Sequence, residues 1–230
     1  MRILVTRPLE DGGEIARLLA DMGHEALLAP LLTVRISGGP KLTLAGVQAV
    51  LATSANGVRA VAARSDMRDV PLFAVGPQTA EAAARAGFIR VRNAGGDAAA
   101  LADAVCGWAD TAAGPLLHAA GEESGGELAA ALTAKGFEVL QETLYRVEAA
   151  AQLPDAAIQA LKDNSIQAAL FFSPRSAGIF ADRVMQAGLS TAGVTAVCIS
   201  AKTAAALRDL PFSDIKIATA PNQAALLACL

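Results

Sequence analysis

Apolar residues along the chain fall into short runs that alternate with longer segments rich in alanine and leucine. The first run, residues 3–5, is followed by Gly-Gly-Glu at 12–14, which opens an amphipathic segment, and then by a glycine-ended turn and a second apolar run ending at Val34. Short apolar runs on either side of a helical period predict a strand, a helix and a second strand. The same order of runs returns in residues 116–147.

These two segments are copies of one another. Residues 116–147 align on residues 3–34 without a gap, and the shared residues include Gly13 with Gly126, Leu19 with Leu132 and Gly23 with Gly136. The copies differ near the end of the second run, where Leu32 is replaced by Tyr145, the only tyrosine in the chain. A repeat of this kind in a chain of this length indicates two similar domains.

A second pattern fills the stretch between the copies and appears again after the second copy. Its predicted strands are residues 48–53, 72–75 and 89–91 and, in the later occurrence, 168–172, 195–199 and 214–218. Each strand is followed by a predicted helix that begins at small polar residues. Strands alternating with helices predict α/β domains with mostly parallel sheets and right-handed crossovers.

The order of the four segments leaves the domain pairing open. Either each copy joins the segment that follows it, or the first copy joins the last segment and the two middle segments join each other. The chain could cross between domains in residues 33–40 and 146–154. Periodicity favours neither arrangement.

Composition narrows the class of protein. Hydrophobic residues make up 53% of the 230 positions but aromatic residues only 4%, which indicates aliphatic packing of helices on sheets. The net charge of −3 argues against a nucleic-acid or anionic-membrane partner. The apolar runs are shorter than a membrane span and the N-terminus has no cleavable signal pattern, so we expect a cytoplasmic protein. The three widely spaced cysteines are interpreted as reduced thiols.

Fingerprints of the common catalytic classes are absent from the sequence. It contains no glycine-rich dinucleotide or phosphate loop, no serine nucleophile elbow and no zinc-protease motif. His24 and His118 are the only histidines, so the sequence supplies few candidate residues for a histidine-based triad or a zinc site. We interpret His24 as a solvated turn residue and His118 as a structural residue at a strand end.

Four predicted strand-to-helix corners are rich in small hydroxyl residues. They are Thr53-Ser54-Ala55-Asn56, Gly76-Pro77-Gln78-Thr79, Ser173-Pro174-Arg175-Ser176 and Ser200-Ala201-Lys202-Thr203. In an open parallel sheet, such corners lie at the carboxyl ends of the strands, where helix N-termini attract carboxylates or phosphates. Ordinary N-capping is the alternative for each corner. Their recurrence, with a cation in two of them, favours an anion-binding cleft.

Tyr145 has two interpretations. A tyrosine at a strand end is commonly a half-buried amphipathic residue. This one replaces a leucine of its own repeat and lies where the chain could cross between domains. Its phenol is a neutral proton donor, which could assist a departing hydroxyl group.

Taken in order, six short segments resemble uroporphyrinogen-III synthase. They are residues 3–8 (ILVTRP), 53–58 (TSANGV), 75–80 (VGPQTA), 143–145 (TLY), 172–176 (FSPRS) and 199–204 (ISAKTA). The resemblance spans the chain, and the order and spacing are more specific than any one motif. It implies an α/β fold of two similar flavodoxin-like domains with parallel sheets, joined by a two-strand linker. It also implies the crossed pairing, in which residues 1–35 and 148–230 form one domain and residues 36–147 the other.

The resemblance further implies an activity. It is that of a lyase of haem biosynthesis that cyclises hydroxymethylbilane to uroporphyrinogen III, losing water and inverting the terminal ring, as a monomer without cofactor or metal. The tyrosine matching Tyr145 would assist loss of the hydroxyl, giving an azafulvene that closes through a spiro intermediate. The implied substrate-binding residues are Arg7, Thr53, Ser54, Asn56, Gly76, Thr79, Ser173, Arg175, Ser200, Lys202 and Thr203. One departure is the last corner, Ser-Ala-Lys-Thr, where the family often has Gly-Pro-X-Thr.

Two other functions fit parts of the sequence. A non-catalytic two-lobe protein that binds a small polyanionic ligand would use the same repeat and the same corners. A sugar-phosphate isomerase or nucleotide-dependent enzyme could share the α/β domains, but the phosphate loops are missing.

Thin linkers between two domains also predict variation in domain orientation, with closure on substrate.

Overall fold

The structure, a computed structural model, describes residues 1–230 except for the side chain of residue 10. The chain divides into two compact units. Unit 1 comprises Met1–Thr33 and Glu148–Leu230, and unit 2 comprises Val34–Val147. In each unit, helices pack on a largely parallel sheet, so the predicted α/β class is confirmed.

The elements follow one another in the alternating order that the hydrophobic pattern predicts. In chain order they are β1 (Arg2–Val5), α1 (Leu9–Asp21), β2 (Glu25–Leu28), β3 (Leu32–Ile36), β4 (Ala49–Ala52), α2 (Ala55–Arg64), β5 (Leu72–Ala74), α3 (Pro77–Arg85), β6 (Val91–Asn93), α4 (Ala98–Trp108), β7 (Leu116–Gly121), α5 (Glu127–Ala134), β8 (Val139–Ala149), α6 (Asp155–Lys162), β9 (Ala168–Phe171), α7 (Pro174–Gln186), β10 (Thr195–Cys198), α8 (Ala201–Ala205), β11 (Asp214–Ile217) and α9 (Gln223–Leu227). The chain passes from unit 1 to unit 2 within β3 and returns within β8.

The sheet of unit 1 has the strand order β11-β10-β9-β1-β2, and all of its described pairings are parallel. Alternate residues of the inner strand β1 are buried on opposite faces. Leu4 packs with Phe171 and Phe180 on one face, whereas Ile3 and Val5 pack with the helices of the other face. A parallel sheet buried on both faces requires such continuous apolar strands, which explains the runs seen in the sequence.

The sheet of unit 2 has the strand order β3-β8-β7-β4-β5-β6, and β8, β7, β4, β5 and β6 are parallel neighbours. Its core is also divided between two faces, with Val50 and Leu117 on one and Leu51 and Leu116 on the other. At the outer edge, β3 lies beside β8, and Ser37 N donates to Leu144 O over 2.8 Å.

The two copies of the repeat differ in strand continuity. In the second copy, β8 runs unbroken for 11 residues, but the first copy divides into β2 and β3 around Pro30. Proline has no backbone N–H to donate to a neighbouring strand, so it interrupts the ladder. The prediction of one strand ending at Val34 is therefore wrong for the first copy.

Two further boundaries differ from the predictions. Helix α1 begins at Leu9, ahead of the Gly-Gly-Glu expected to open it, because Pro8 O already accepts from Asp11 N and Gly12 N. Strand β6 begins two residues later than predicted, because Ile89 N donates to Arg68 O and lies outside the ladder. Helix α6 was not predicted, although Pro154 and Asp155 at its start are typical N-terminal signals.

Candidate active site

Apart from Tyr145, the predicted site residues lie just after the carboxyl ends of parallel strands, where open α/β sheets bind ligands. Tyr145 was predicted at a strand end but lies within β8, because that strand continues to Ala149. The predicted residues divide between the two units. In unit 1 they are Arg7 after β1, Ser173 and Arg175 after β9, and Ser200, Lys202 and Thr203 after β10. In unit 2 they are Thr53, Ser54 and Asn56 after β4, Gly76 and Thr79 after β5, and Tyr145 on β8.

The corner after β4 holds the predicted catalytic tyrosine. Ser54 is the N-cap of α2, and its Oγ accepts from Gly57 N over 3.2 Å. The same Oγ lies 2.8 Å from the phenolic oxygen of Tyr145. Tyr145 itself is only 7% exposed. The structure therefore brings together two predicted site residues that are 91 positions apart.

Gly121, at the end of β7, makes room for the ring of Tyr145. The two residues are partners in the β7–β8 register, just after an irregularity at Ala120. A Cβ atom on Gly121 would lie 2.8 Å from carbon atoms of the ring, closer than real Cβ contacts allow. Beside the ring, a depression of about 150 Å³ is lined by Gly121, Ser124 and the two intervening glutamates.

Gly121 and Ser124 are site residues that the sequence did not single out. Ser124 Oγ accepts from Gly121 N over 2.8 Å, and Gly121 O accepts from Ser124 N over 2.9 Å, which closes the turn after β7. The repeat gave no signal for Gly121, because the aligned residue of the first copy is Pro8. Only the register of β8 against β7 shows that a side chain there would displace the tyrosine.

The remaining predicted residues of unit 2 have mainly local roles. Asn56 Oδ1 accepts from Arg59 Nη1 over 2.8 Å, and Thr53 is half-buried. Gly76 is the N-cap of α3 without a side chain to offer, and Thr79 in the first turn is 5% exposed. At helix N-termini such as these, the first backbone N–H groups have no partner within the helix and remain as possible donors.

In unit 1 both serine corners cap their own helices. Ser173 Oγ accepts from Ser176 N over 3.1 Å and lies 2.7 Å from Ser176 Oγ. Ser200 Oγ accepts from Thr203 N over 3.3 Å and lies 3.0 Å from Thr203 Oγ1. Thr203 is fully buried, so its hydroxyl is occupied within the corner.

Three cations also lie at the carboxyl edge of the unit 1 sheet. Arg7 is largely buried, with its guanidinium 4.8 Å above the ring of Phe172, 3.4 Å from Asp11 Oδ2 and 3.4 Å from Gln223 Oε1. Arg175 and Lys202, in the first turns of α7 and α8, are exposed. Two exposed cationic side chains therefore lie at the carboxyl edge of the unit 1 sheet.

His118 does not belong to the site. It lies within β7 instead of at a strand end, is 1% exposed, and its Nδ1 is 3.3 Å from Gln141 Oε1. Burial lowers the pKa of His118, and the contact with Gln141 opposes this only in part. Burial in the interior of unit 2 thus favours the neutral imidazole.

The possible metal ligands do not cluster into a metal centre in the described part of the chain. No group of three or more His, Cys, Asp or Glu side chains is placed there to hold a metal ion. All three cysteines are free, and burial raises the pKa of the Cys198 thiol to about 12. None of the described helices combines the length and the hydropathy needed to cross a bilayer.

A family model and a solved structure match this chain over nearly its whole length. A family model described as uroporphyrinogen-III synthase HemD matches residues 13–228. No curated protein matches the chain. Among solved structures, uroporphyrinogen-III synthetase from Helicobacter pylori is 20% identical, with a TM-score of 0.64 over 100% of this chain and 98% of that one. Wild-type uroporphyrinogen III synthase from Thermus thermophilus is also 20% identical, with a TM-score of 0.38 over 94% and 91% of the two chains.

Proposed function

The chain belongs to the uroporphyrinogen-III synthase family, and from that premise we propose that Tyr145 donates the proton in its reaction. The reaction closes hydroxymethylbilane, a linear tetrapyrrole, to uroporphyrinogen III with loss of water and inversion of the terminal ring, in haem biosynthesis. The chain is an enzyme, a cyclising lyase. Family membership also removes the alternative of a non-catalytic binding protein.

The chemistry needs modest acid assistance and strict positioning. A hydroxyl group leaves from a carbon attached to an electron-rich pyrrole, whose nitrogen supplies most of the electron push. A proton on the departing oxygen lets it leave as water while the carbon–oxygen bond breaks. The harder task is to bring the inverted ring carbon into reach in place of the easier direct closure, and this depends on the shape of the site.

The observation that carries the proposal is the 2.8 Å contact between Ser54 Oγ and the phenolic oxygen of Tyr145. Ser54 Oγ accepts from Gly57 N, and in the proposed arrangement its own proton is donated to the phenolic oxygen of Tyr145. Tyr145 then keeps its own proton for a substrate oxygen. A hydroxyl fixed in this way loses little orientational freedom when the substrate binds.

We also propose that the edge of unit 1 binds carboxylates of the substrate. Arg175 and Lys202 supply exposed positive charge, and the backbone amides of the serine corners supply further donors. Arg7, largely buried against Phe172 and near Asp11, contributes less net charge. We propose an indirect role for the remaining predicted substrate-binding residues. Their side chains mainly hold the corners in place, and the backbone amides of the corners bind the substrate.

The test of the catalytic role removes one oxygen atom. Tyr145→Phe keeps the ring beside Gly121 but lacks the donor, so turnover should fall by about 10- to 100-fold while the residual product stays type III. The assay supplies freshly generated hydroxymethylbilane and resolves the I and III isomers. Full activity in Tyr145→Phe would mean that the tyrosine only packs.

Two serine variants are matched controls. Ser54→Ala removes the partner of Tyr145 and should lower turnover less than Tyr145→Phe does, because the phenol keeps its proton. Ser173→Ala removes the equivalent cap in unit 1 and should lower turnover least. Each variant loses one N-cap, which lowers the free energy of unfolding by about 1 kcal/mol. If the two variants lose equal stability but Ser54→Ala loses more turnover, the additional loss comes from the contact with Tyr145 and not from the lost cap.

The wider setting of the enzyme completes the proposal. The domains are residues 1–35 with 148–230, and residues 36–147, close to the two compact units. The enzyme works as a cytoplasmic monomer on a small tetrapyrrole, without a nucleic-acid partner, for which the net charge of −3 gives no attraction. Sedimentation equilibrium of the full chain tests the monomer, and a dimer at micromolar concentration would contradict it.

A further inference from the structure

A second cavity lies in unit 2, at the opposite end of the sheet from Tyr145. It has a volume of about 360 Å³ and is formed where β5 and β6 begin and where α4 ends. Pro71 and Arg90 precede β5 and β6, whereas Ser54 and Gly76 follow β4 and β5. The cavity is therefore separate from the proposed catalytic corner.

Two aromatic rings form its inner wall. Phe73 and Trp108 meet edge to face, with ring centroids 5.2 Å apart and planes inclined by 65°. Phe73 is buried, Trp108 is half-buried, and Ile89 at the mouth is 74% exposed. The wall thus offers a half-open apolar surface of the kind that takes a flat ring.

Two guanidinium groups line the same cavity. Arg92 lies over both rings, 5.7 Å from the centroid of Trp108 and 6.0 Å from that of Phe73. Arg90 donates from Nε and Nη2 to the backbone oxygen of Asp69, which fixes its orientation. None of the described side chains that line the cavity is acidic. The positive charge there has no carboxylate partner within the lining.

We propose that this cavity binds a small planar aromatic anion. Its ring would lie against Trp108 and Ile89, and its carboxylate would accept from the guanidinium groups of Arg90 and Arg92, which suit planar oxyanions. The volume lies within the roughly 300–1,000 Å³ of small-molecule sites. Arg92 could serve only to cover the rings of Phe73 and Trp108. That role would explain neither the presence of Arg90 nor the exposure of Ile89.

The repeat offers an internal comparison for this cavity. The unit 1 partners that correspond to the Phe73–Arg92 register pair are Val197 and Lys216. Val197 is fully buried, and Lys216 Nζ donates to Cys229 O over 2.8 Å. Neither position of unit 1 carries an aromatic ring, and its cation is bonded to Cys229 O, so the aromatic wall is particular to unit 2 and is not a consequence of the shared fold.

Trp108 allows a direct test because it is the only tryptophan in the chain. Its fluorescence is excited at the red edge of the absorption band, where the single tyrosine does not contribute. Benzoate is titrated into the full-length enzyme at constant ionic strength, with benzyl alcohol as the neutral analogue. We expect a saturable change with benzoate and an affinity for benzyl alcohol that is lower by roughly tenfold or more.

Variants assign the effect to the cavity. Arg92→Gln and Arg90→Gln should each weaken benzoate binding by roughly tenfold, and Arg92→Lys should restore part of it because the charge remains. The repeat-equivalent control Lys216→Gln should leave binding unchanged. Cyclase activity without benzoate should be the same in all four variants, so failure here is distinguishable from failure of the proposed catalytic role. A linear response to benzoate, or equal responses to benzoate and benzyl alcohol, would overturn the proposal.

Discussion

The carboxyl edges of the two sheets descend from one repeated plan but carry different chemistry. Unit 1 has three cations at positions where unit 2 has neutral residues. The aligned pairs are Arg7 with Ala120, Arg175 with Asn56, and Lys202 with Gln78. Conversely, unit 2 has Tyr145 where the first copy has Leu32. This difference is the basis of our proposal that unit 1 binds anions and unit 2 donates the proton.

The equivalent serines Ser54 and Ser173 show how the difference arises. Ser173 finds its hydroxyl partner in Ser176 of its own helix, 2.7 Å away. The residue aligned with Ser176 is Gly57, where a Cβ atom would lie 2.7 Å from the backbone oxygen of Ala119, so no serine fits. Ser54 therefore has no hydroxyl neighbour in its own helix and contacts Tyr145 instead. A close helix–strand approach thus frees the serine for the tyrosine.

The largest expected effect concerns whether a unit is formed by one continuous segment of the chain or by two separate segments. Unit 2 is one continuous stretch, whereas unit 1 needs both ends of the chain. A fragment of residues 36–147 should therefore unfold cooperatively and give dispersed amide resonances. A fragment of residues 1–110 should not, because it lacks β9, β10 and β11 of its first sheet and β7 and β8 of its second. A cooperative 1–110 fragment would refute the crossed pairing.

A smaller effect should follow from making unit 1 resemble unit 2 in charge. The double variant Arg175→Asn and Lys202→Gln introduces the residues of the aligned positions. Exposed charge pairs contribute about 0.2–1 kcal/mol each, so KM for hydroxymethylbilane should rise roughly 2- to 30-fold. The turnover number should change little, because Tyr145 is untouched.

The control for that variant removes a cation elsewhere in unit 1. Arg208 is exposed beyond the end of α8, beside Asp209, and Arg208→Gln should leave KM unchanged. Added salt should reduce the difference between the wild type and the double variant, because exposed charges are screened. An unchanged KM in the double variant would exclude carboxylate binding by these two side chains.

The smallest effect concerns the buried histidine. His118 of β7 aligns with Val5 of β1, so His118→Val gives unit 2 the residue that unit 1 has. Burial lowers the pKa of His118 in the folded state below the usual histidine value of about 6.5, and the unfolded chain therefore binds the proton first as pH falls. The free energy of unfolding should decline from about pH 6.5 downward, by at most about 1.4 kcal/mol per pH unit.

Denaturation midpoints measured across this range test the linkage. The wild type should lose stability from pH 6.5 down to the lowered pKa of folded His118, and His118→Val should lose less over the same interval. At pH 8 the two proteins should differ only by the packing of the side chain, because the histidine is neutral in both states. Parallel curves would mean that His118 does not contribute to the pH dependence.

Prediction from sequence was strongest where structure depends on neighbouring residues. The alternating strands and helices, the parallel α/β class and the N-caps at Ser54, Ser173 and Ser200 all follow from local patterns. The errors also have local causes, namely the strand break at Pro30 and the early start of α1 after Pro8. Both prolines were visible in the sequence, but the repeat suggested that the two copies share their boundaries.

By itself the sequence determined that two similar units form and that small polar residues lie at the carboxyl ends of their strands. The spacing of apolar residues and the capping of helices depend only on short segments of the chain, so both can be read from the sequence. Only the tertiary structure decided that Tyr145 lies against Ser54, that Gly121 must lack a side chain, and that Trp108 and Arg92 share a cavity wall. Each of these contacts joins separate strands or helices. They depend on strand register and on how closely a helix approaches its sheet, which no single segment specifies.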